Sequence, residues 1–387
     1  MGCFSAALSI FLCIIAAILT VDCFSPQLEQ YVESYQKTWM RTSVRHLYNI
    51  CQRVTGALLW YGRALLGMKV RGRYGGTVDY LLVYPIKAVS TGLKVEEWKL
   101  DHYGLKHDRQ YVICKYDTIK ECYMPILLKE VPKLSSVHVS LGDGSFKFEY
   151  HSTATDEKAV FYLPMNVTED YVEQHSSFGT ELKPISLWLA TLQGYILDKA
   201  LDPEFIASMG LPKEAVLVYS PNGKACKVGA PKNVDRKTLF HDYYPMLMTS
   251  QESYEEVKRN AGEKGKYVRM EAFRPNLVIR DVDKPFAEDF YHKFDIVGKD
   301  SRIRFTGALK CIRCTIPNID VSNGTMDKHG IISKTMSKYR RVDEANPYKS
   351  CFGMYVIQHE KNFVIRKGDK LDILQKKAMK MDENPFY

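Results

Sequence analysis

Short runs of alternating hydrophobic and polar residues dominate the chain from residue 77 onward. The runs are rich in β-branched and aromatic residues, which is typical of strands with one buried face. In segment 137–150, two such runs flank Asp143-Gly144, a dipeptide that favours a tight turn and predicts a β-hairpin. Further strands are predicted at 78–86, 109–116, 159–165, 215–220, 277–282, 302–309, 353–358 and 362–374.

Helical periodicity is rarer. It occurs at 186–201, 252–262 and 288–294, and the first of these segments lies between two groups of predicted strands. The sequence therefore predicts an α+β protein, mainly antiparallel β, in two parts with helices at the joints. We expect an N-terminal domain over 77–205 and a C-terminal domain over 206–380, with helix 186–201 at the junction.

The N-terminus has a different pattern. Residues 4–21 form an 18-residue run without a charged side chain, which as a helix would just cross the hydrocarbon core of a membrane. No basic residue precedes the run, which favours a retained transmembrane anchor over 1–23; a cleaved signal peptide stays open as the alternative. The nearby Lys and Arg residues all follow the run, which predicts that the body faces the cytosol.

Residues 24–76 are predicted to be a basic, partly amphipathic linker. Segment 54–70 is apolar with two embedded basic residues, so a helix on the membrane surface and a helix packed on the body are both open. Part of the chain's net charge of +9 therefore lies beside the predicted anchor. No basic stripe with interleaved aromatic residues is present, so we expect no nucleic-acid partner.

The composition is ordinary for a globular protein, with 45% hydrophobic and 26% charged residues among 387. This excludes collagen-like, disordered and multi-span membrane classes. Ten cysteines are too few for a disulfide scaffold.

The motif Cys311-Ile312-Arg313-Cys314 offers four interpretations. A zinc half-site would need two more ligands, and a thioredoxin-like pair would need a helix to follow. The two thiols could also be buried structural residues. In the fourth interpretation a thiolate is a soft ligand for a transition metal, and Arg313 binds an anion.

Cationic residues recur at the ends of predicted strands, namely Lys87, Arg109 and Arg274. Each alone could be a solvated charge or a surface ion pair. Because Arg274 precedes Pro275, we expect an extended backbone that holds its side chain at a strand start. Guanidinium groups bind phosphate in a bidentate manner, and the amide of Asn276 suits the edge of a heterocycle.

Several motifs stand in a recognisable order: YPIKAV, GLKHDRQYVI, FRPNLVI, CIRC, KYRR, CFGMYV and IRKGDKLDIL. Together, over about 78–375, they resemble the MOSC-domain family with its N-terminal β-barrel partner, and within it the membrane-anchored amidoxime-reducing branch. The resemblance implies a MOSC N-terminal β-barrel-like domain over 77–205, packed on a MOSC β-barrel domain over 206–380. Ala88, Lys310 and the pair Tyr243-Tyr244 depart from the family pattern.

The resemblance also implies the ligand. This is molybdenum held by molybdopterin, with no bound haem or flavin, and with Cys314 as the metal ligand and catalytic residue. The residues that would bind the cofactor are Lys87, Arg109, Asp242, Tyr243, Tyr244, Arg274, Asn276, Arg313 and Tyr355.

The implied activity is the reductive removal of oxygen from N-hydroxylated compounds such as amidoximes and hydroxylamines, with nitrite as a further candidate. NADH-cytochrome b5 reductase and cytochrome b5 would deliver the electrons. The implied location is the mitochondrial outer membrane, and the endoplasmic reticulum and peroxisome stay open. Two alternatives also stay open: a carrier of the molybdenum cofactor or of sulfur without reductive turnover, and a membrane-tethered structural β-protein.

Overall fold

The structure, a computed structural model, describes residues 73–188, 190–225, 237–299, 301–343 and 346–376. The predicted anchor, and all but the last four residues of the predicted linker, lie outside this part of the chain. Within it, every helix is too short or too polar to cross a membrane.

Strands make up most of the described chain. In chain order they are β1 Arg73–Val83, β2 Ile86–Lys87, β3 Leu93–Val95, β4 Glu97–Asp101, β5 Gly104–Leu105, β6 Tyr111–Asp117, β7 Cys122–Pro125, β8 His138–Leu141, β9 Ser145–His151, β10 Lys158–Pro164, β11 Leu182–Leu187, β12 Ala190–Leu197, β13 Val216–Tyr219, β14 Lys224–Ala225, β15 Lys237–Thr238, β16 Met246–Ser250, β17 Leu277–Arg280, β18 Tyr291–Val297, β19 Arg302–Ile312, β20 Ile319–Asp320, β21 Thr325–Met326, β22 Cys351–Gln358, β23 Val364–Arg366 and β24 Lys370–Lys376. The α-helices of the described chain are α1 Glu169–His175, α2 Pro203–Met209, α3 Gln251–Asn260 and α4 Ile331–Tyr339. Short 3-10 helices lie at Pro132–Ser136, Gly262–Tyr267, Met270–Phe273, Ala287–Phe290 and Ile316–Asn318.

The larger sheet closes into a barrel. Its strands follow the order β17-β16-β22-β19-β18-β24-β1, and β1 also pairs with β17 to close the ring. Although β1 comes first in the chain, it lies between strands from the C-terminal half, with Thr77 opposite Arg280 and Arg73 opposite Ile373. Inside the barrel, the rings of Phe294 and Phe305 stack at 5.4 Å between centroids.

The smaller barrel is formed by β13, β12, β11, β7 and β6, and closes because β13 also pairs with β6. Strand β2 pairs in parallel with the first two residues of β6. The separate sheet of β8, β9 and β10 packs its alternate residues Phe146, Phe148 and Phe161 into the main core. Most pairings are antiparallel, so the predicted mainly β architecture is confirmed.

The predicted helix 186–201 is wrong. This segment contains the end of β11 and all of β12, which form a hairpin with Leu187 opposite Ala190. In β12, Leu192 and Ile196 are buried, whereas Thr191 and Gln193 are exposed. This is the period of two that a strand requires. Packing against neighbouring strands overrides the apparent helical spacing.

Other predicted elements have mixed outcomes. The hairpin around Asp143-Gly144 is confirmed by the pairing of β8 with β9, and Gly144 has a φ of 60°. The predicted helix 252–262 is confirmed as α3, where the Ser250 hydroxyl accepts a hydrogen bond from the Ser253 amide at 3.1 Å. The predicted helix 288–294 is instead the end of a 3-10 helix followed by β18.

Candidate functional site

Two arginines from different barrels meet on one tyrosine ring. Tyr84 directly follows β1 and is fully buried. The guanidinium carbon of Arg109, just before β6, lies 4.9 Å from the ring centroid, and that of Arg274, shortly before β17, lies 4.2 Å from it. The junction of the two barrels therefore gathers positive charge around one aromatic side chain.

A buried carboxylate organises the base of this cluster. Asp108 accepts hydrogen bonds from the Tyr84 amide at 2.7 Å and from the Asn276 side-chain amide at 3.0 Å, and it pairs with Arg109. His241 Nε2 lies 2.9 Å from the same carboxylate. Burial alone would raise the pKa of Asp108, but Arg109 and His241 together lower it. Asp108 therefore remains an anion inside the protein.

His241 is held in its neutral form. Burial lowers its pKa to about 4, and the hydrogen bond to Asp108 offsets that effect only in part. Because Asp108 binds both His241 and Arg109, the buried Asp108–His241 pair orients the Arg109 guanidinium.

A second ion pair lies nearer the surface. Lys87, at the end of β2, is 7% exposed and pairs with the Asp242 carboxylate, whose side chain is 47% exposed. Burial lowers the pKa of Lys87 more than Asp242 raises it. Burial would raise the pKa of Asp242, but the charge and hydrogen bond of Lys87 lower it well below its usual range. The indole Nε1 of Trp188 donates to the same carboxylate oxygen at 3.0 Å.

Arg274 has no carboxylate partner among the described residues. Its guanidinium donates to the backbone carbonyls of Ser90 and Val89, at 3.0 and 3.3 Å. Burial, and the repulsion of nearby Arg109, lower its pKa to about 10. The predicted extended backbone is wrong: Arg274 has φ 54° and ends the preceding 3-10 helix, where its amide donates to Glu271. A ligand with a negative charge would supply the partner that this cation lacks.

The two thiols of the CxxC motif have different surroundings. Cys311 is 3% exposed at the end of β19, and Arg313 donates to its sulfur at 3.0 Å. Cys314 follows the strand and is exposed. Burial would lower the pKa of Arg313, but the sulfurs of Cys311 and Cys314 raise it, so both thiols lie within its electrostatic reach. In the described chain no three His, Cys, Asp or Glu side chains cluster as metal ligands, so the zinc interpretation finds no ligand set there.

Three tyrosines lie close to the thiol side of the site. Tyr355 in β22 has its ring centroid 5.9 Å from that of Tyr243 and 5.7 Å from that of Tyr244. Burial raises the pKa of Tyr355 well above its ordinary value, and Cys311 and Asp242 raise it further. Tyr355 and Tyr243 therefore lie within electrostatic reach of both Cys311 and Asp242.

Asn276 is engaged by the protein itself. Besides its bond to Asp108, its amide nitrogen donates to Leu82 at 3.2 Å, and its carbonyl oxygen accepts from the Leu247 amide at 3.2 Å. These contacts tie three strands together at the site.

The sequence-predicted residues thus meet at one junction, where buried and half-buried cations outnumber the carboxylates. Sequence reasoning missed Tyr84, Asp108, His241 and Trp188. Asp108 and His241 directly precede Arg109 and Asp242 in sequence, which was the available signal. Trp188 was hidden because its segment was interpreted as a helix.

In comparisons with known proteins, two family models match successive parts of the chain. The model of the MOSC N-terminal beta barrel domain matches residues 75–197, and that of the MOSC domain matches residues 235–372. Mitochondrial amidoxime reducing component 2 of Homo sapiens is 29% identical over 325 residues, which are 81% of this chain and 88% of that protein. Molybdenum cofactor sulfurase of Solanum lycopersicum is 25% identical over 296 residues, which are 73% of this chain and 33% of that protein. The chain thus spans about a third of the length of the sulfurases it matches.

Proposed function

Because this chain belongs to the family that joins a MOSC N-terminal β-barrel domain to a MOSC domain, we propose that it is a molybdenum-cofactor-dependent reductase of N-hydroxylated compounds. Its similarity to an amidoxime reducing component extends over most of both chains. The observation that carries the proposal is Arg274, a half-buried cation without a carboxylate partner among the described residues.

The donor set fits molybdopterin with its single phosphate. Lys87, Arg109 and Arg274 supply positive charge, and the two arginines present planar groups suited to phosphate oxygens. Cys314, exposed and within electrostatic reach of Arg313, is a soft ligand of the type that molybdenum takes. A purely structural cluster would be expected to balance these charges with carboxylates.

Each residue has a distinct part in this proposal. Arg274, Arg109 and Lys87 bind the phosphate, while Asp108 and His241 fix the direction of the Arg109 side chain. Cys314 binds the metal, and Arg313 stabilises the negative charge on the Cys314 sulfur. When bound, the cofactor supplies two-electron chemistry at molybdenum, so that substrate oxygen leaves as water with two protons.

The remaining expectations are proposals of the same kind. Cytochrome b5, reduced by NADH-cytochrome b5 reductase, would deliver the electrons. Residues 1–23 would anchor the chain in the mitochondrial outer membrane, with the described barrels in the cytosol. The similarity to a mitochondrial amidoxime reducing component supports a mitochondrial location, whereas the electron donors are implied by the family resemblance alone.

The test has two parts. Elemental analysis should find close to one molybdenum per chain in protein purified from a host that makes the cofactor. The same protein should oxidise NADH on addition of benzamidoxime, but only when cytochrome b5 and its reductase are both present. Cofactor-loaded protein that turns over no N-hydroxylated compound would contradict the proposal.

A second candidate is a carrier of the molybdenum cofactor or of sulfur. The match to molybdenum cofactor sulfurases favours it, and an exposed thiol beside an arginine could hold a sulfur species. Molybdenum content without turnover, together with transfer of cofactor to an apo-enzyme, would support this candidate.

A further inference from the structure

Trp188 reaches the site from the smaller barrel. It lies in the turn between β11 and β12, while its hydrogen-bond acceptor Asp242 precedes β16 of the larger barrel. The residue is 43% exposed although its Nε1 is engaged. A large, flat apolar surface therefore stands beside the half-exposed carboxylate at the outer edge of the site.

The backbone at Trp188 is strained. Its φ is 56°, in the left-handed region that bulky residues rarely adopt. Such a conformation costs about 1–3 kcal/mol and persists where the surroundings require it, often at ligand-binding positions. Here the strained turn brings the indole to Asp242.

Asp242 has one carboxylate oxygen available to accept hydrogen bonds from a ligand. Lys87 and Trp188 both bind its Oδ1, and its Oδ2 accepts no hydrogen bond from any described residue. The outer edge of the site therefore combines an open carboxylate oxygen with an aromatic face. This combination suits a planar group that carries N–H donors, since the indole can stack on its face and the carboxylate oxygen can accept hydrogen bonds from its N–H groups.

We propose that Trp188 determines substrate selectivity: its indole stacks on planar aryl N-hydroxyamidines while Asp242 Oδ2 accepts their N–H groups. The inference rests on the proposed function and deepens it, because it assigns recognition of the organic part of the substrate to the smaller barrel. Small substrates such as hydroxylamine present no ring to the indole and should not depend on it.

The test compares two substrates in three proteins. With kcat/KM expressed per bound molybdenum, Trp188→Ala should lower the value for benzamidoxime about 3- to 10-fold, as expected for loss of about 0.7–1.4 kcal/mol of stacking. The value for hydroxylamine should stay within about twofold. Trp188→Phe retains a flat ring without the N–H, so its kcat/KM for benzamidoxime should lie between those of the wild type and Trp188→Ala.

Binding gives a readout independent of turnover. Calorimetry with benzamidoxime and the cofactor-loaded protein should show weaker binding to Trp188→Ala by a similar factor. Tyr162→Ala is the matched control, because Tyr162 is a 54% exposed aromatic residue on the outer sheet; its affinity for benzamidoxime should be unchanged. Circular dichroism should show the same fold for all variants.

The possible outcomes distinguish the role of Trp188 in recognition from the proposed reductase function. Equal effects on both substrates, unaltered benzamidoxime affinity, or no benzamidoxime binding to the wild type would each overturn the role of Trp188. Binding that depends on Trp188 without any turnover would overturn the reductase and retain the recognition site.

Discussion

The guanidinium of Arg274 is the group whose shape matters most. Its central carbon lies 4.2 Å from the ring centroid of Tyr84, while two of its nitrogens donate to backbone carbonyls. Arg274→Lys keeps the charge but loses the planar fork, so cofactor affinity should fall about ten- to a hundredfold. Molybdenum content after purification measures this loss.

Arg280→Lys is the matched control, because Arg280 lies on β17 with a 49% exposed side chain and weak ion pairs at 3.7 Å. It should leave molybdenum content unaltered. Equal content in wild type and Arg274→Lys would show that Arg274 does not hold the phosphate.

The two thiols should respond differently to substitution. Cys311→Ala removes a buried side chain and the acceptor of Arg313, which should cost about 1–2 kcal/mol of stability but leave metal-dependent turnover largely intact. Cys314→Ser replaces an exposed soft ligand with a hard hydroxyl and should abolish reduction in a folded protein. Thermal unfolding and turnover of benzamidoxime check both expectations, and an active Cys314→Ser would contradict the metal assignment.

His241 should make the protein sensitive to acid. Its folded pKa is about 4 against an ordinary 6.5, so the unfolded state binds more protons between those values. The free energy of unfolding should therefore fall as the pH drops from 6.5 to 4, by at most about 3 kcal/mol from this residue. In His241→Asn this part of the pH dependence should disappear in denaturant titrations, whereas His138→Asn, at an exposed position on β8, should retain it.

At the scale of elements, the sequence predicted most strands because their alternation is local. Gly144 and the flanking runs specify the β8–β9 hairpin without help from the rest of the fold. The β11–β12 hairpin was missed because the spacing of its apolar residues fits both a helix and a strand. In addition, its turn contains Trp188 with a positive φ and no dipeptide typical of a tight turn. Pairing with the neighbouring strands β7 and β13 determines that this segment is a hairpin and not a helix.

The candidate site was partly predictable for a similar reason. Lys87, Arg109 and Arg274 stand out as cations at strand ends, which a sequence shows directly. The contacts that hold them, such as Asp108 with His241 across 133 positions, depend on the way the two barrels meet. Arg274 also shows that tertiary packing can override the usual extended preference before proline.

β1 should be indispensable to the larger barrel. It bonds to β17, β24 and β3, and its removal would leave two edges of the ring unpaired. A chain that begins at residue 84 should be insoluble or lack the cooperative unfolding of a chain that begins at residue 73. Expression with circular dichroism tests this, and a folded 84–387 fragment would contradict it.

At the scale of the whole molecule, two exposed glycosylation sequons report on its orientation. Asn166 and Asn323 both lie on the surface, each followed two residues later by threonine. If the barrels face the cytosol, both asparagines should stay unmodified in protein from a eukaryotic host. A mobility shift after deglycosylation would place the body on the other side of the membrane.

The pairing of β1 with β24 also determines how the chain could be rewired. Because Arg73 lies opposite Ile373 in an antiparallel pair, the described chain enters and leaves the larger barrel at the same edge. A short linker could join residue 376 to residue 73, and a new start could be opened at the exposed turn of Asp143-Gly144. Such a circular permutant would retain every strand pairing although its order of synthesis changes. The smaller barrel is thus inserted in the chain between β1 and β16 of the larger one, and the architecture should not depend on which strand is made first.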